Sequence, residues 1–98
     1  MELTQLRYFM KTAETLNYTR AAEELLTSRQ ALCHTLNNLE RDLGQPLFET
    51  DHNRLSLTRY GEYLLLAIRE PVRMFEEKER QIKEFFRQPI EVEVAFSE

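Results

Sequence analysis

Apolar positions at helical spacing open the chain. Leu6, Phe9, Met10, Ala13 and Leu16 fall on one face and Lys11, Glu14 and Thr15 fall outside it, which predicts a first helix over residues 4–16. Asn17 and Tyr18 are expected to end it. Two more amphipathic runs follow with almost no spacer. Ala21, Ala22, Leu25 and Leu26 form the apolar face of a short helix, with Thr19 as its expected cap. Leu32, Leu36, Leu39 and Leu43 recur at +4, +3 and +4 in a longer helix that Ser28 can cap. Gly44 suits the left-handed position just past that helix, and Pro46 stops it from resuming. Helices joined by so short a turn cross closely, which the small side chains of Ala21 and Ala22 permit. Residues 17–48 thus have the layout of a helix-turn-helix, the unit that lays a helix in the major groove of DNA. An ordinary helical hairpin in a bundle carries the same local signals.

The pattern then changes period. Residues 45–50 and 55–58 are short, with apolar Leu47, Phe48, Leu55 and Leu57 around the polar turn Asp51-His52-Asn53-Arg54. This predicts a small β-hairpin, a wing, with an irregular loop as the alternative. From residue 59 to about 87 the pattern is helical again, about 42 Å at 1.5 Å per residue. A small domain cannot cover such a helix with its own body. Leu64, Ile68, Val72, Phe75, Ile82 and Phe86 form a heptad seam with Glu79 in one apolar slot, which predicts pairing with a second helix. Pro71 removes one backbone donor inside it and should bend the axis. A solvated single helix would leave Phe75, Ile82, Phe85 and Phe86 in water. Residues 89–98 alternate with period two, as a strand does. That strand would pair with a second copy or begin a further domain. The expected organisation is a mainly α chain: a winged helix-turn-helix over 1–58, a linker and dimerisation helix over 59–88, and a strand-like start of another domain, or a tail, over 89–98.

Length and composition narrow the function classes. Ninety-eight residues make one small domain with or without an appendage. No run of 18 apolar residues occurs, and Met1 is followed by Glu2 and an amphipathic pattern, which makes a cytoplasmic protein the simplest expectation. A single cysteine, Cys33, excludes an intramolecular disulfide. Cys33 and His34 are neighbours about 100° apart on a helix, and His52 is the only other histidine, so three or four convergent metal ligands are not expected. Neither a Ser-His-Asp order nor a glycine-rich phosphate loop is present, and no cofactor or enzyme activity is expected.

Charge is the objection to DNA binding, since phosphate neutralisation supplies much of the affinity. The chain has a net charge of −4. Residues 1–60 hold seven basic and eight acidic side chains, whereas residues 61–98 hold six and nine. Most of the acidity therefore lies downstream of the helix-turn-helix. From residue 27 to 39 there is no acid, and Arg29 is the one full charge.

With the leucine stripe facing the core, Gln30, Cys33, His34, Asn37 and Arg41 occupy the other face of the third helix. Gln30 and Asn37 are suited to the N6/N7 edge of adenine, and Arg29 to guanine or a phosphate. Thr19, Arg20 and Ser28 stand at helix N-termini, where free N–H groups favour phosphate. Arg54 is placed to enter the minor groove from the wing tip. A solvated polar face is the plain alternative for each.

Several stretches resemble the N-terminal domain of the LysR-type transcriptional regulators: Phe9, YTRAAEEL at 18–25, SRQALCHTLNNLERDLGQPLF at 28–48, and LTRYGEYLL at 57–65. The resemblance implies a winged helix-turn-helix that binds an interrupted inverted repeat of double-stranded DNA as a dimer, through a linker helix. A tetramer in a full-length protein is left open. A larger effector domain follows in that family, which predicts that this chain is a piece of a longer regulator. A small-molecule effector is expected only with that domain. The sequence departs from the family pattern at Gln30, where proline is common, at Cys33, where serine is, and at His34, where a basic residue is. It departs again at Thr50, commonly arginine, and at Asp51 and His52, commonly small or basic. These departures remove positive charge from surfaces that touch phosphate. They motivate a second reading, a winged-helix interaction module that acts as antagonist or partner of a full-length regulator.

Overall fold

A computed structural model describes residues 1–89 of the chain. The elements in order are α1 (Leu3–Thr15), α2 (Tyr18–Glu24), α3 (Arg29–Leu43), β1 (Phe48–Asp51), β2 (Arg54–Leu57) and α4 (Arg59–Arg87). Three short helices and a hairpin build the winged helix-turn-helix, and α4 runs out of it. The strand expected over 89–98 falls almost entirely outside the described residues.

The cap of α2 corrects the expectation. Leu16 takes a left-handed conformation at φ 51° and ends α1, with its N–H on the Thr12 carbonyl at 2.7 Å. The chain is then extended at Asn17, whose side chain accepts the Arg20 N–H at 2.9 Å. Thr19 therefore lies inside the first turn, and Asn17 is the cap. Ser28 caps α3 as expected, accepting the Ala31 N–H at 3.0 Å. Gly44 closes α3 at φ +79°.

Between α2 and α3 the chain reverses through a left-handed residue that is not glycine. Leu26 has φ 59°, and its side chain is 93% exposed. The Thr27 N–H reaches the Ala22 carbonyl at 2.9 Å and the Leu26 N–H reaches Glu23 at 3.2 Å. These two bonds satisfy carbonyls the helix end would otherwise leave open, the pattern of a Schellman cap. Ala21 and Ala22 are both buried at the crossing.

The core collects around Phe9, Leu32, Leu39 and Leu47, with the Phe48 ring tilted 50° to that of Phe9 at a centroid distance of 5.4 Å. Leu36 belongs to it, but Leu43 does not: it lies in the last turn of α3 and is 40% exposed. Leu16 and Leu26, also expected on buried faces, are turned out by their left-handed backbones.

The wing is a two-stranded antiparallel hairpin with Phe48 opposite Leu57 and Asp51 opposite Arg54. Its turn residues His52 and Asn53 have φ of 53° and 63°. Two successive positive values match the right-handed twist of the flanking strands. The first strand starts later than expected, at Phe48, because Pro46 and Leu47 give their backbone groups to other partners. The Leu47 N–H bonds the Glu40 carboxylate at 2.7 Å, and its carbonyl accepts the Thr58 N–H at 3.0 Å. Thr58 also donates its hydroxyl proton to the Pro46 carbonyl at 2.6 Å and caps α4 by accepting the Gly61 N–H at 3.1 Å.

Along α4 the expected seam divides. Leu64, Ile68 and Val72 are buried in the chain's own core, so they are not a free surface for a second helix. Phe75, Ile82 and Phe86 continue the same stripe beyond the body and are exposed. Glu79, which interrupts the stripe, pairs with Arg7 of α1 at 3.8 Å, and Glu76 pairs with the same guanidinium at 3.3 Å. No helix among the described residues is long and apolar enough to cross a membrane.

Two substitutions test this account. A Cβ at Gly61 would overlap the Leu47 carbonyl and lie 2.8 Å from Leu57 Cδ2. Gly61→Ala should therefore cost about 2–3 kcal/mol from overpacking, against the gain of about 1 kcal/mol from helix propensity. An unchanged urea midpoint would contradict the close approach. Leu26→Gly should do the reverse and stabilise by about 1 kcal/mol, since only the left-handed penalty is removed. In a domain of this size that raises the melting temperature by about 4–8 °C; a fall in melting temperature would show that the Leu26 side chain contributes more than its exposure suggests.

Candidate nucleic-acid interface

α3 has one face against the core and one face open. Leu32, Leu36 and Leu39 point inward, and Gln30, His34, Asn37 and Arg41 lie exposed on the opposite side, with Cys33 half-buried at the margin. Ser28 and Arg29 are exposed at the N-terminal end. The sequence-derived candidates on this helix thus share one surface.

The open face has no carboxylate in its first two turns, and the acids further along are engaged elsewhere. Glu40 turns toward Leu47 and Phe48, whose N–H groups lie 2.7 and 3.4 Å from its Oε2. Asp42 pairs with the N-terminal ammonium at 3.5 Å. A charge count along the sequence overstates the acidity that an approaching phosphate meets.

Beside the N-terminal end of α3 a cleft of about 380 Å³ lies between α2 and the wing, and Asn17, Thr19, Arg29, Thr50 and Asn53 contribute to its lining. The Arg29 guanidinium sits 5.5 Å from the Tyr18 ring centroid and donates to the Thr19 hydroxyl at 3.2 Å. Stacking and the hydrogen bond together hold a cation at the mouth of the cleft. Burial raises the Tyr18 pKa above the usual phenol value, with Cys33 and Glu40 nearby adding to the rise and Arg29 opposing it. The Tyr18 hydroxyl therefore stays protonated at neutral pH, as a neutral platform under Arg29.

Other candidates are less concentrated. The Arg20 side chain is exposed and pairs with Glu24 at 3.6 Å. Arg54 is exposed on the wing opposite Asp51, and His52 Nδ1 lies 2.8 Å from Asp51 at the tip. Asn38, which sequence reasoning left out, joins His34 and Arg41 on the α3 surface. Arg41 donates to Asn38 at 2.8 Å, and Asn38 lies 3.3 Å from His34. Their 34, 38, 41 spacing, one helical ridge, was the available signal.

Comparison with known proteins places this geometry. The pattern of the bacterial regulatory helix-turn-helix protein, lysR family, matches residues 3–62. Over 91 residues the chain is 42% identical to the Hca operon transcriptional activator HcaR of Escherichia coli K12, a match that covers 90% of this chain and 31% of that protein. The chain thus spans about a third of the length of that curated relative. A crystal structure of a LysR-family transcriptional regulator from Eggerthella lenta is similar at a TM-score of 0.68 and 40% identity, covering 69% of this chain and 97% of that one. The structure of the CbnR_DBD–DNA complex is similar at a TM-score of 0.73 and 31% identity, covering 89% of this chain and all of that one.

Proposed function

The chain belongs to the LysR family of bacterial regulatory helix-turn-helix proteins, and from that premise we propose that it is the sequence-specific DNA-binding part of a cytoplasmic transcriptional regulator, acting as a dimer. The observation that carries the reading is the α3 surface: a polar, acid-free face beside a cleft where Arg29 is already held in place. Its work is recognition, and no side chain is assigned a catalytic role. A solved relative of like fold in complex with DNA supports it.

Roles follow from position. Gln30 and Asn37 meet adenine edges from the open face of α3, with Cys33 and His34 beside them. Arg29, Thr19 and Ser28 take a phosphate at the cleft, and Arg20 and Arg54 add phosphate or minor-groove contacts from α2 and the wing. Residues 1–58 form the reading unit, and 59–88 the connecting and pairing helix.

The pairing surface differs from the sequence-derived seam. At about 100° per residue, Tyr60, Tyr63, Ala67, Pro71, Met74 and Phe85 fall on a second stripe, with Ile82 on the border it shares with the first, and all are exposed. Lys78 occupies its remaining slot. This stripe is self-complementary when two copies of α4 run antiparallel. Tyr60 then meets Phe85, Tyr63 meets Ile82, Ala67 meets Lys78, and Pro71 meets Met74. Phe75 and Phe86 flank the far half, at the edge of the stripe that the body leaves uncovered. A two-fold axis through the middle of α4 places one α3 at each end, as two half-sites of an inverted repeat require.

Two measurements test this. Selection from random duplexes at low salt should enrich an interrupted inverted repeat, and affinity should fall with salt. Three cations per protomer on phosphate predict a log–log slope of about −5 for the dimer. No enriched sequence from a folded protein, or a slope near zero, would count against DNA reading. Ile82→Asp should convert the dimer to monomers in solution, because it sets a charge against Tyr63 of the second copy. An unchanged mass by light scattering would refute the pairing surface.

A further inference from the structure

The outer ridge of α3 carries His34, Asn38 and Arg41 in a hydrogen-bonded chain. Arg41 Nη1 donates to Asn38 Oδ1 at 2.8 Å, and Asn38 Nδ2 lies 3.3 Å from His34 Nε2. The chemistry of the three groups sets the direction of both bonds. A guanidinium has donors only, so the Asn38 atom that faces Arg41 is the carbonyl oxygen. The amide nitrogen, also donor-only, must then face His34. His34 Nε2 is left to accept, which a neutral imidazole does only when its proton sits on Nδ1.

We infer that this relay holds His34 as the Nδ1–H tautomer and makes it a single-donor reader of an acceptor edge in the major groove, with guanine as the preferred base. The inference rests on the reading of α3 as the helix that enters the groove. His34 lies on the exposed side of that helix, opposite Leu32 and Leu36. Guanine presents N7 and O6, two acceptors side by side. Adenine sets a donor beside its N7, thymine sets a methyl beside its O4, and cytosine presents an N4 donor that the ring N–H cannot satisfy. Asn38 and Arg41 are positioning residues in this account. They select which edge His34 reads without touching the base themselves. Free histidine favours the Nε2–H tautomer, so the relay changes what the ring offers.

The test uses the full 98-residue chain and two readouts. Imidazole ¹⁵N shifts at about pH 8, above the ordinary histidine pKa of about 6.5, report the tautomer without DNA. Selection from random duplexes reports the base preference. His34 should be Nδ1–H in the parent chain and shift toward Nε2–H in Asn38→Ala. In parallel, Asn38→Ala should lose about tenfold of the guanine preference at one position per half-site, with other positions unchanged. His34→Ala should lose the preference at that same position, and Asn38→Gln should restore part of it. Because Asn38 is half-buried, Arg41→Leu, at an exposed site, repeats the experiment should Asn38→Ala fold poorly. An Nε2–H tautomer in the parent chain, or an unchanged guanine preference in these variants, would overturn the inference. A parent chain that shows the Nδ1–H tautomer but enriches no sequence would instead refute the DNA-reading premise, and this inference with it.

Discussion

Everything downstream of α3 hangs on the peptide groups at Pro46 and Leu47. A buried loop is costly because its backbone donors and acceptors lose water and gain nothing in return. Here each one named is paired with a group from a flanking element. Glu40 of α3 takes the Leu47 N–H, and Thr58 at the head of α4 supplies its N–H to Leu47 and its hydroxyl to Pro46. The Leu47 side chain is 1% exposed. A hydrogen bond to a carboxylate contributes about 1.5–3 kcal/mol, a large share of the stability of a domain this small. The wing and the long helix therefore take their positions from α3 through hydrogen bonds as well as through apolar packing. Gly61 belongs to the same junction, since only a residue without a Cβ lets the first turn of α4 lie against the Leu47 carbonyl.

The junction also resolves the charge objection. Glu40 is the acid closest along the sequence to the reading face, and the junction consumes its carboxylate. α4 adds no excess, with seven basic and six acidic side chains over residues 59–87, and three of the four net negative charges come from Glu91, Glu93 and Glu98. Glu84 is 25 residues past Arg59, about 37 Å along the helix. The screening length at physiological salt is about 8 Å. Charges that far along the helix scarcely register at the start of α4, and α4 as a whole is not acidic, so the net charge of −4 does not describe the reading face. Arg29 matters more than its single charge suggests, because Tyr18 and Thr19 hold it in place before any phosphate arrives.

Local periodicity and capping made most of the fold legible. The leucine stripe of α3, the Ser28 cap, the Gly44 exit and the wing all follow from side chains within a few residues of one another. The errors arise where a local signal has two solutions. Asn17 and Thr19 are both competent caps, and the left-handed turn at Leu16 decides between them. The stripe through Leu64, Ile68 and Val72 says that a face is covered but not by what. Burial by the chain's own α1 and by a second helix leave the same pattern in sequence. Glu79 looked like a defect in that stripe because its partner, Arg7, is 72 residues upstream. On the candidate interface, the exposure of Gln30, His34, Asn37 and Arg41 was legible from the leucines opposite them. The relay through Asn38 and Arg41 was not singled out, because side chains that face solvent give no burial pattern to read.

The division of α4 into two stripes has a mechanical consequence. Its inner stripe, Leu64 to Val72, is fixed to the body that carries α3. Its outer stripe, Tyr60 to Phe85, is exposed, and in the proposed dimer a second copy covers it. Both stripes lie on one continuous helix, so the angle between them is set by helical geometry and not by a flexible joint. The distance between two α3 helices in a dimer is then a property of α4 itself. Pro71 is the one place where that property is adjustable. It lies on the outer stripe, near the middle of the helix, and its missing N–H leaves the Ala67 carbonyl without its usual helical partner. A small bend there would move the two reading heads together or apart while both stripes stayed packed. In the proposed dimer the spacing of half-sites would be governed by the middle of the linker helix, far in sequence from the residues proposed to read the bases.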